Sequence, residues 1–440
     1  MSEKEYNDLL EEIFARHMSV QTSGFNSGSY KPGLERMEAF LDILGLDMVQ
    51  GCRYRTIHIA GTNGKGSVSS MMASALNAVG LRVGLFTSPH LLDFRERIKL
   101  IEDDRARMIS REDVFNFFTA QRVNAGDLGL SFFELTTGLA FWWFAKEEVD
   151  IAVIETGLGG RLDSTNVIIP ELSIITSIGL DHCAILGNTR QEIAAEKAGI
   201  FKPGVPALVG EYDEETAQVF EQTASSIHCP LFYADEYDSI PDMDLPGEYQ
   251  KQNTDTVLTA LELLGIDADE EAIAHTAAIT GLRGRWERLD IDFQRWSGTK
   301  ASPCVITDIG HNPPALRWNT AQLTSMMESG RYDHLVIIYG IMADKALDDI
   351  IPMLPGIGCL RDTDINYIFT TPSTPRSLQA DEIYRHFKKQ ISGTDAHPEM
   401  QVIDNVADAL AEAGKLCTDR TLLYIGGSAF LVADVLKILE

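Results

Sequence analysis

Along the chain, short apolar runs typical of strands alternate repeatedly with segments in which apolar residues recur at helical spacing. Short runs rich in β-branched and apolar residues, at 56–59, 151–154 and 172–178, are typical of strands buried in a parallel sheet. Segments with helical periodicity separate these runs, and the most hydrophobic of them, residues 131–146, predicts a buried helix. The pattern therefore predicts an α/β fold with a parallel-rich sheet.

The first predicted strand leads directly into a glycine-rich segment. Residues 56–67 read TIHIAGTNGKGS, in which three glycines free the backbone before a helical pattern at 68–79. Such a loop directs backbone N–H groups and the positive end of a helix dipole at one point, where Lys65 adds a charge. This chemistry suits a polyphosphate. The alternative is a glycine-rich turn with a solvated lysine.

The segment departs from the usual phosphate-loop pattern of a glycine, four residues and then Gly-Lys-Ser/Thr. Ile59 occupies the position of the first glycine, and Gly66 follows Lys65. The residue after the lysine normally supplies the hydroxyl that holds Mg²⁺ on the nucleotide. A hydroxyl from elsewhere in the chain must therefore replace it.

Polar side chains follow three other predicted strands. Ser88 comes after a strand at 81–87, Glu155 ends the strand at 151–154, and His182 follows the strand at 172–178. Open α/β sheets bind ligands at the carboxyl ends of their strands, so Ser88 is a candidate for the missing hydroxyl, and Glu155 and His182 are candidate metal ligands. The alternative for Ser88 is a serine that starts a turn before proline. The alternatives for Glu155 and His182 are a solvated acid and a structural or exposed histidine.

Two groups of basic residues have more than one interpretation. Arg95, Arg97 and Lys99 form either a basic loop that receives an acidic substrate or the solvated face of a strand. Lys197 lies near the end of a helix that begins with a capping box at 189–192, where a lysine ordinarily interacts with the helix dipole.

Strands and helices continue to alternate beyond residue 282, after a change in pattern. A strand at 284–291, a polar stretch at 298–302 and four further strand-and-helix pairs follow. A chain of 440 residues is too long for one ordinary core. The sequence therefore predicts a P-loop-type nucleotide-binding domain over residues 1–282 and a smaller Rossmann-like α/β domain over 283–440.

Composition limits the classes of function. The content of 45% apolar and 23% charged residues is that of a soluble globular protein, and the net charge of −28 argues against nucleic-acid and anionic-membrane binding. The first 17 residues lack the apolar core of a secretory signal, and the apolar window at 138–145 is too short to span a bilayer. The six cysteines have no metal-ligand spacing and are expected to be reduced, buried thiols. Together these features predict a cytoplasmic protein.

Eight blocks in order along the chain resemble the folylpolyglutamate synthase/dihydrofolate synthase family, a branch of the Mur ligase superfamily. They are AGTNGKGS at 60–67, TSPHL at 87–91 with RERI at 95–98, IETGLGGRLDSTN at 154–166, TSIGLDH at 176–182, EKAGIFKPG at 196–204, QKQNTDTVLTAL at 250–261, GRWERL at 284–289 and DIGHNP at 308–313. The family usually has Asp-Gly-Ala-His-Asn-Pro in the last block, and the change here leaves the acid and the histidine in place.

The resemblance implies an ATP-dependent amide ligase that activates a folate or dihydropteroate carboxylate as an acyl phosphate, which the amine of L-glutamate then attacks. It implies ATP and two Mg²⁺ sites as cofactors, and three catalytic residues, Lys65, His182 and Lys197. The implied ATP-binding residues are Thr62, Asn63, Gly64, Lys65, Gly66, Ser67, Asn253, Arg285, Asp308 and His311. The residues on the substrate side are Phe133, Glu134, Leu162, Asp163 and Ser164, with Arg97 from the basic segment. The implied metal ligands are Ser88, Glu155, His182 and Lys197, the last as an N-carboxylated side chain.

A cell-wall precursor ligase of the same superfamily is the chief alternative, although such enzymes typically have Thr or Ser where this chain has Gly66. A guanine-nucleotide switch is disfavoured because no Asn-Lys-x-Asp motif follows the phosphate site. The resemblance also implies a monomer that acts on small molecules. The sequence leaves open whether dihydropteroate, a reduced folate or both accept glutamate, and it gives no role for the polar loop at 21–29.

Overall fold

The computed structural model describes residues 2–17, 32–49, 53–238, 240–361, 363–392 and 397–440. The polar loop at 21–29 lies outside these residues. The chain divides into two compact units, Met1–Asp244 with Gln250–Leu282, and Leu245–Tyr249 with Arg283–Glu440. The main division therefore falls between residues 282 and 283, while the short segment at 245–249 belongs to the second unit.

The first unit alternates strands and helices from its first strand onwards. Its elements are α1 (Glu3–Arg16), α2 (Glu35–Leu44), β1 (Arg55–Ala60), α3 (Lys65–Ala78), β2 (Val83–Phe86), β3 (Ile98–Glu102), β4 (Arg105–Met108), α4 (Arg111–Asp127), α5 (Phe132–Lys146), β5 (Ile151–Glu155), β6 (Leu172–Ile175), α6 (Cys183–Leu186), α7 (Arg190–Ala198), β7 (Ala207–Val209), α8 (Glu214–Ser226), β8 (Leu231–Tyr233), α9 (Gln250–Leu264), α10 (Glu270–Ala274) and α11 (Thr276–Thr280). Two short 3₁₀ turns, Phe94–Arg97 and Ser164–Val167, interrupt the connections.

An eight-stranded sheet in the order β4-β3-β2-β5-β1-β6-β7-β8 forms the centre of the first unit. The strands from β2 to β8 in this order run parallel, and β3 and β4 add an antiparallel edge. The glycine-rich segment joins β1 to α3, so the order β2-β5-β1-β6 places its strand in the middle of the sheet. Apolar residues dominate these central strands because helices cover parallel sheets on both faces.

The second unit contains a smaller sheet of six strands. Its elements are β9 (Glu287–Leu289), α12 (Phe293–Ser297), β10 (Cys304–Asp308), α13 (Pro313–Glu328), β11 (His334–Tyr339), α14 (Leu347–Ile350), β12 (Asp364–Phe369), α15 (Ala380–Ile391), β13 (Glu399–Val402), α16 (Val406–Leu416), β14 (Thr421–Gly426) and α17 (Ala429–Leu439). The order is β13-β12-β11-β14-β10-β9, parallel except for β9, which pairs antiparallel with β10.

Several predicted elements differ from the observed ones. The helix after the glycine-rich segment begins at Lys65, earlier than the predicted 68, and β6 ends at Ile175 because the next residues turn towards the loop after β1. After the polar stretch at 298–302, the described residues form five strand-and-helix pairs, one more than predicted. Cys52 lies outside the described residues. The described cysteines are reduced, but Cys183 and Cys359 are only partly buried, so the prediction of buried thiols is wrong for these two.

The predicted buried helix is confirmed as α5, which begins at the N-cap Ser131. Its aromatic side chains Phe141, Trp143 and Phe144 are fully buried against the sheet and neighbouring helices. Within the described part of the chain, no helix has both the length and the apolar character required to cross a membrane.

We expect the substitution Gly84→Ala to destabilise the first unit. A Cβ atom on Gly84 in β2 would lie 2.8 Å from the ring of Phe144, which is closer than such atoms pack. Overpacking of this kind lowers the free energy of unfolding by about 1–3 kcal/mol. Gly126→Ala is the matched control, because that helical glycine of α4 has open space around it and the change should stabilise by about 0.5–1 kcal/mol. Urea unfolding of both variants measures the difference, and equal effects would contradict the packing argument.

Candidate active site

The glycine-rich segment forms a tight loop between the end of β1 and the first turn of α3. Gly61 and Gly64 both have positive φ, at 154° and 86°, and Gly64 is the N-cap of the helix. A Cβ atom on Gly61 would lie 1.9 Å from Oγ1 of Thr176, and one on Gly64 would lie 2.3 Å from Oδ1 of Asn253. Glycine is therefore required at both positions, by backbone conformation and by the close approach of neighbouring side chains.

Residues that follow β6 hold this loop in place. The backbone N–H of Thr62 donates to the carbonyl of Ser177 at 2.7 Å, and the hydroxyl of Thr176 donates to the carbonyl of Asn63 at 2.6 Å. The hydroxyl of Thr62 in turn accepts the N–H of Gly179 at 3.0 Å. The loop thus has a fixed shape, with a helix N-terminus at its end, which is the arrangement that binds phosphate groups.

Two lysine ammonium groups meet at one carbonyl oxygen of the loop. Lys65 donates to the carbonyl of Gly61 at 3.1 Å and to that of Thr62 at 3.3 Å. Lys197, near the end of α7, donates to the same Gly61 carbonyl at 2.7 Å and is only 3% exposed. Burial, and next the charge of Lys65, lower the pKa of Lys197 to about 7, although Asp181 and Asp163 act in the opposite direction. The site concentrates positive charge in an otherwise acidic protein.

Ser88 and Glu155 lie together next to this loop, as the sequence predicted from their strand-end positions. The backbone N–H of Ser88 donates to Oε2 of Glu155 at 3.0 Å, and Glu155 is 3% exposed. The strands that carry them, β2 and β5, are neighbours, and β5 pairs with β1 so that Glu155 is opposite Ile59. The hydroxyl and the carboxylate are therefore at the same sheet edge as the phosphate loop.

His182 follows β6 in a left-handed backbone conformation, with φ of 53°. Its Nε2 lies 3.7 Å from Oδ2 of Asp181, and its backbone N–H donates to the other oxygen of the same carboxylate at 2.9 Å. Asp181 also acts electrostatically on Lys197. Asp181 is not among the residues predicted from the sequence, where its position next to His182 is the signal that could have found it.

The side chains at this site fit Mg²⁺ better than a metal ion whose ligands are all protein side chains. Among the described residues, no group of three or more His, Cys, Asp or Glu side chains is placed to hold a metal ion. Mg²⁺ is commonly held by one or two protein oxygens together with water and substrate phosphates. The Ser88 hydroxyl and the Glu155 carboxylate are such oxygens, and they lie beside the phosphate loop.

The basic segment after Ser88 is not a solvated strand face. Arg97 is 3% exposed and Lys99 is 7% exposed, whereas Arg95 forms an ion pair with Asp93 at 2.7 Å. Arg97 donates to Nδ1 of His90 at 2.8 Å and lies over the ring of Phe132. Burial lowers the pKa of Arg97 to about 10, and the charge of Glu155 opposes this shift. The solvated-face alternative is therefore wrong, and Arg97 is a buried cation close to the candidate metal carboxylate.

Lys99 has a different position in the first unit. Its ammonium group donates to the carbonyl of Thr280, the last residue of α11, at 2.7 Å. This is a cation at a helix C-terminus, where it satisfies a carbonyl that the helix leaves without a partner. Lys99 thus has a structural contact and does not form part of a basic loop.

The residues assigned to the substrate side are neighbours, but two of their carboxylates are engaged by the protein itself. Glu134 accepts the N–H of Ser131 at 2.7 Å in a capping box and pairs with Arg36 at 3.0 Å. Phe133 packs on Gly157, where a Cβ atom would lie 2.5 Å from the ring.

The loop after Glu155 is closed by Asp163. One carboxylate oxygen of Asp163 accepts the N–H of Leu158 at 2.8 Å, and the other accepts the N–H of Thr165 at 3.0 Å. Burial raises the pKa of this carboxyl, and these hydrogen bonds oppose the shift. Ser164 shares a hydrogen bond with Thr137 at 2.9 Å, and Leu162 is partly exposed on the same loop.

The residues assigned to the nucleotide fall in both units. Asn253 lies beside Gly64 in the first unit, where Gln250 of the same helix bonds to Ser67 at 3.2 Å and to Asn253 at 2.8 Å. Gly66 and Ser67 are buried in the first turn of α3.

In the second unit, Asp308 accepts four hydrogen bonds, from the Tyr249 hydroxyl, the Trp286 N–H, the Gly310 N–H and the Asn319 amide. A carboxylate offers about four acceptor positions, so those of Asp308 are all engaged. Arg285 and His311 are partly exposed, and a ring nitrogen of His311 lies 2.9 Å from the carbonyl of Ile309.

A cavity of about 690 Å³ lies at the opposite end of α3 from the phosphate loop. Its walls include Asn77 and Ala78 at the end of that helix, with Arg82, Glu102 and His275. Since α3 has 14 residues, the two ends are about 21 Å apart. None of the residues assigned to the reaction lines this cavity, and the charged groups that suit a polyphosphate are at the other end.

Comparison with known proteins relates this arrangement to enzymes of known activity. Residues 293–429 match the family described as Mur ligase, glutamate ligase domain. The folylpolyglutamate synthase of Lacticaseibacillus casei is 30% identical over 420 residues, which cover 91% of this chain and 92% of that protein.

Solved structures agree with this relationship. Escherichia coli FolC in complex with DHPP and ADP is 26% identical, with a TM-score of 0.79 and coverage of 99% of this chain and 97% of that one. A bifunctional folylpolyglutamate synthase/dihydrofolate synthase with Mn, AMPPNP and L-glutamate bound is 26% identical, with a TM-score of 0.77 and coverage of 99% and 98%. These similarities confirm the predicted fold class and the resemblance found in the sequence.

We expect Lys197→Met to remove a pH dependence of stability. The unfolded chain keeps the ordinary lysine pKa of 10.5, while the folded value is about 7, so the unfolded state binds more protons between these limits. The free energy of unfolding of the native protein therefore rises with pH from about 7 to about 10, and the variant should lose this rise.

Urea unfolding at several pH values between 7 and 10 measures the slope. Lys4→Met, which changes an exposed lysine of α1, is the control and should keep the native slope. Equal slopes in the native protein and in Lys197→Met would contradict a lowered pKa at this buried amine.

Proposed function

The chain belongs to the folylpolyglutamate synthase/dihydrofolate synthase family, and we propose that its phosphate loop and the adjoining strand ends form the active site of an ATP-dependent glutamate ligase. One observation carries the assignment to this site. The ammonium group of Lys65 and the side-chain nitrogen of Lys197 converge on the carbonyl of Gly61, beside the Ser88–Glu155 pair. A cationic loop next to a carboxylate and a hydroxyl suits a triphosphate and its magnesium ion.

The enzyme joins the amine of L-glutamate to the carboxylate of a folate or dihydropteroate. A carboxylate oxygen of that substrate attacks the γ-phosphorus of ATP, and the bond to ADP breaks to give an acyl phosphate. The amine of glutamate then attacks the acyl carbon, loses a proton and expels phosphate. Both steps move negative charge near the transferred phosphoryl group, where fixed positive charges and N–H donors stabilise the transition state.

Lys65, with Thr62, Asn63 and Gly64, would hold the ATP phosphates through the loop geometry. The relatives' structures contain ADP or AMPPNP with Mn, which supports nucleotide and divalent-metal use. Ser88 and Glu155 would hold one Mg²⁺, which neutralises charge on the phosphates when bound. His182, held by Asp181, would serve the second of the two proposed metal sites.

We place Lys197 at the second metal site as an N-carboxylated side chain. Its amine lies next to the phosphate loop and faces the charge of Lys65, so an ammonium group there is disfavoured. Addition of the neutral amine to CO₂, with loss of one proton from nitrogen, gives an anion. Such a group would exchange a repulsive contact with Lys65 for an attractive one.

Asn253, Arg285, Asp308 and His311 would contact the base and ribose of ATP. Asp308 can accept a ribose hydroxyl only if it releases one of its present donors, of which the Tyr249 hydroxyl and the Asn319 amide belong to side chains. On the substrate side, Phe133 and the loop that carries Leu162, Asp163 and Ser164 would form the wall for the pteridine. Glu134 would support that wall through its capping box. Arg97 would bind the substrate next to Glu155.

Small molecules are the partners that this chemistry requires. A monomeric state, a cytoplasmic location and the absence of nucleic-acid or membrane partners stay predictions from the sequence. The relatives described above are named for folates, which favours the folate assignment over the cell-wall precursor ligase.

The substrate prediction is tested with the purified protein, ATP, Mg²⁺ and radiolabelled glutamate. We expect glutamate to be incorporated when dihydropteroate or tetrahydrofolate is supplied, because either carboxylate can be phosphorylated at this site. Supplying the two acceptors in separate reactions distinguishes a dihydrofolate synthase, a folylpolyglutamate synthase and an enzyme with both activities. Incorporation with neither acceptor would contradict the proposal and favour the cell-wall alternative.

The residue assignment is tested with Lys65→Met and Glu155→Gln. Each removes a charge from the proposed phosphate or metal site, so glutamate-dependent ATP hydrolysis should fall by at least about 10²-fold. Glu171→Gln, which changes an exposed acid directly before β6, is the matched control and should keep native activity. Circular dichroism checks the fold of each variant, and near-native hydrolysis by a folded Lys65→Met or Glu155→Gln protein would refute its role.

A further inference from the structure

A histidine is buried in the centre of the first sheet, on the strand that leads into the phosphate loop. His58 of β1 is fully buried, with Ile154 of β5 and Ser173 of β6 as its strand neighbours. Burial is the main reason that its pKa is lowered to about 3, so its ring is neutral at physiological pH. A polar ring in such a place is costly unless it makes a hydrogen bond.

His58 contacts the hydroxyl of a threonine in the loop that follows Glu155. Its Nε2 lies 2.8 Å from Oγ1 of Thr165, and the same Oγ1 lies 2.6 Å from Oδ1 of Asp163. The Nδ1 atom of His58 has no hydrogen-bond partner within the described residues. Among the described residues, the hydrogen bond of the ring is therefore the one to Thr165 in this loop.

The direction of these hydrogen bonds follows from the number of protons. The Thr165 hydroxyl donates to Oδ1 of Asp163, whose two oxygens also accept the backbone N–H groups of Leu158 and Thr165. The hydroxyl has one proton to donate, so it must accept from His58. The proton of the neutral ring is thus on Nε2, and the chain runs from His58 through Thr165 to Asp163.

Asp163 fixes the backbone between two parts of the proposed active site. It holds the N–H of Leu158, three residues after the candidate metal carboxylate Glu155. Gly157, between them, faces the ring of Phe133 at a distance that excludes a side chain. A shift of this backbone would move the wall of the substrate site and the residue that follows Glu155.

We propose that His58 is a positioning residue for the reaction, which orients Thr165 and, through it, the Asp163 carboxylate that closes the loop at 157–165. The ring does not contact substrate, and its effect is on the shape of the substrate site. This inference rests on the proposed function, because the loop matters only if it borders the folate acceptor. It adds a residue that the motifs alone do not assign to that site.

The first test measures the proton position in the native protein. Labelling with ¹⁵N-histidine and NMR of the imidazole nitrogens should show one neutral ring, unchanged between pH 5 and 8, with the proton on Nε2. Comparison with His58→Gln assigns this signal. A proton on Nδ1, or a ring that becomes charged in this pH range, would overturn the hydrogen-bond direction and with it the proposal.

The second test separates positioning from general stability. Thr165→Val and His58→Phe break the chain, whereas Thr165→Ser keeps the hydroxyl and His58→Gln keeps a donor at the place of Nε2. We expect Thr165→Val and His58→Phe each to raise the KM for the acceptor by about tenfold, while the affinity for ATP stays within about twofold of the native value. Dihydropteroate and tetrahydrofolate are the acceptors used. The conservative pair should stay within about twofold of the native KM.

Thr276→Val is the control for loss of a buried hydroxyl, because Thr276 is fully buried and its hydroxyl donates to the nearby carbonyl of Ile273 at 2.8 Å. This variant should leave the KM for the acceptor and the affinity for ATP unchanged. The double variant His58→Phe with Thr165→Val should be no worse than Thr165→Val alone, because both changes break one chain.

An unchanged acceptor KM in His58→Phe, equal losses for ATP and acceptor, or additive effects in the double variant would each overturn the proposal. A native protein that incorporates glutamate with neither acceptor would instead contradict the proposed function, so the two failures are distinguishable. If His58→Phe does not fold, His58→Gln and His58→Asn replace it, since only glutamine places an amide donor at Nε2. The asparagine variant should then show the raised KM, and equal KM values for the two would overturn the proposal.

Discussion

Parallel pairing of β1 with β5 on one side and β6 on the other is the constraint on which the active site depends. The N–H of Thr156 donates to the carbonyl of Ile59, and the N–H of Thr176 donates to that of Ala60, each at 2.9 Å. These bonds continue the ladders past the last strand residues and bring three chain segments to one edge of the sheet. A slip of one residue would turn Glu155 to the other face of the sheet, away from Ser88. The position of the proposed metal carboxylate is thus a consequence of strand register.

The electrostatics of the site follow from this arrangement. The carbonyl of Gly61 accepts hydrogen bonds from two lysine side chains. Lys65 is the first residue of α3, directly after the loop, and Lys197 comes from α7 in a distant part of the chain. Burial, and next the positive charge of Lys65, lower the pKa of Lys197. In a protein with a net charge of −28, this local positive field is what can attract an anionic nucleotide.

Three carboxylates assigned to ligands are held by donors of the protein itself. Glu134 caps α5, Asp163 closes the loop after Glu155, and Asp308 collects four donors in the second unit. Each is nearly inaccessible, with an exposed fraction of 3–5%. A buried carboxylate with several N–H donors fixes the backbone that supplies them. These acids therefore shape the walls of the proposed sites, and a ligand would reach Asp308 only by replacing a donor.

The sequence by itself determined the α/β alternation, the phosphate loop, the strand-end positions of Ser88 and Glu155, and the family, because all of these are local patterns or ordered motifs. It did not decide between interpretations that depend on distant contacts. The interpretation of Arg97 as part of a solvated strand face was wrong because side chains from α5 and from the connection between β2 and β3 cover that arginine. The helix-dipole interpretation of Lys197 could not include the Gly61 carbonyl, 136 residues away along the chain. The bond between His58 and Thr165 likewise joins residues that only the folded sheet brings within 2.8 Å, since hydrogen bonds depend on distance in space and leave no fixed spacing in the sequence.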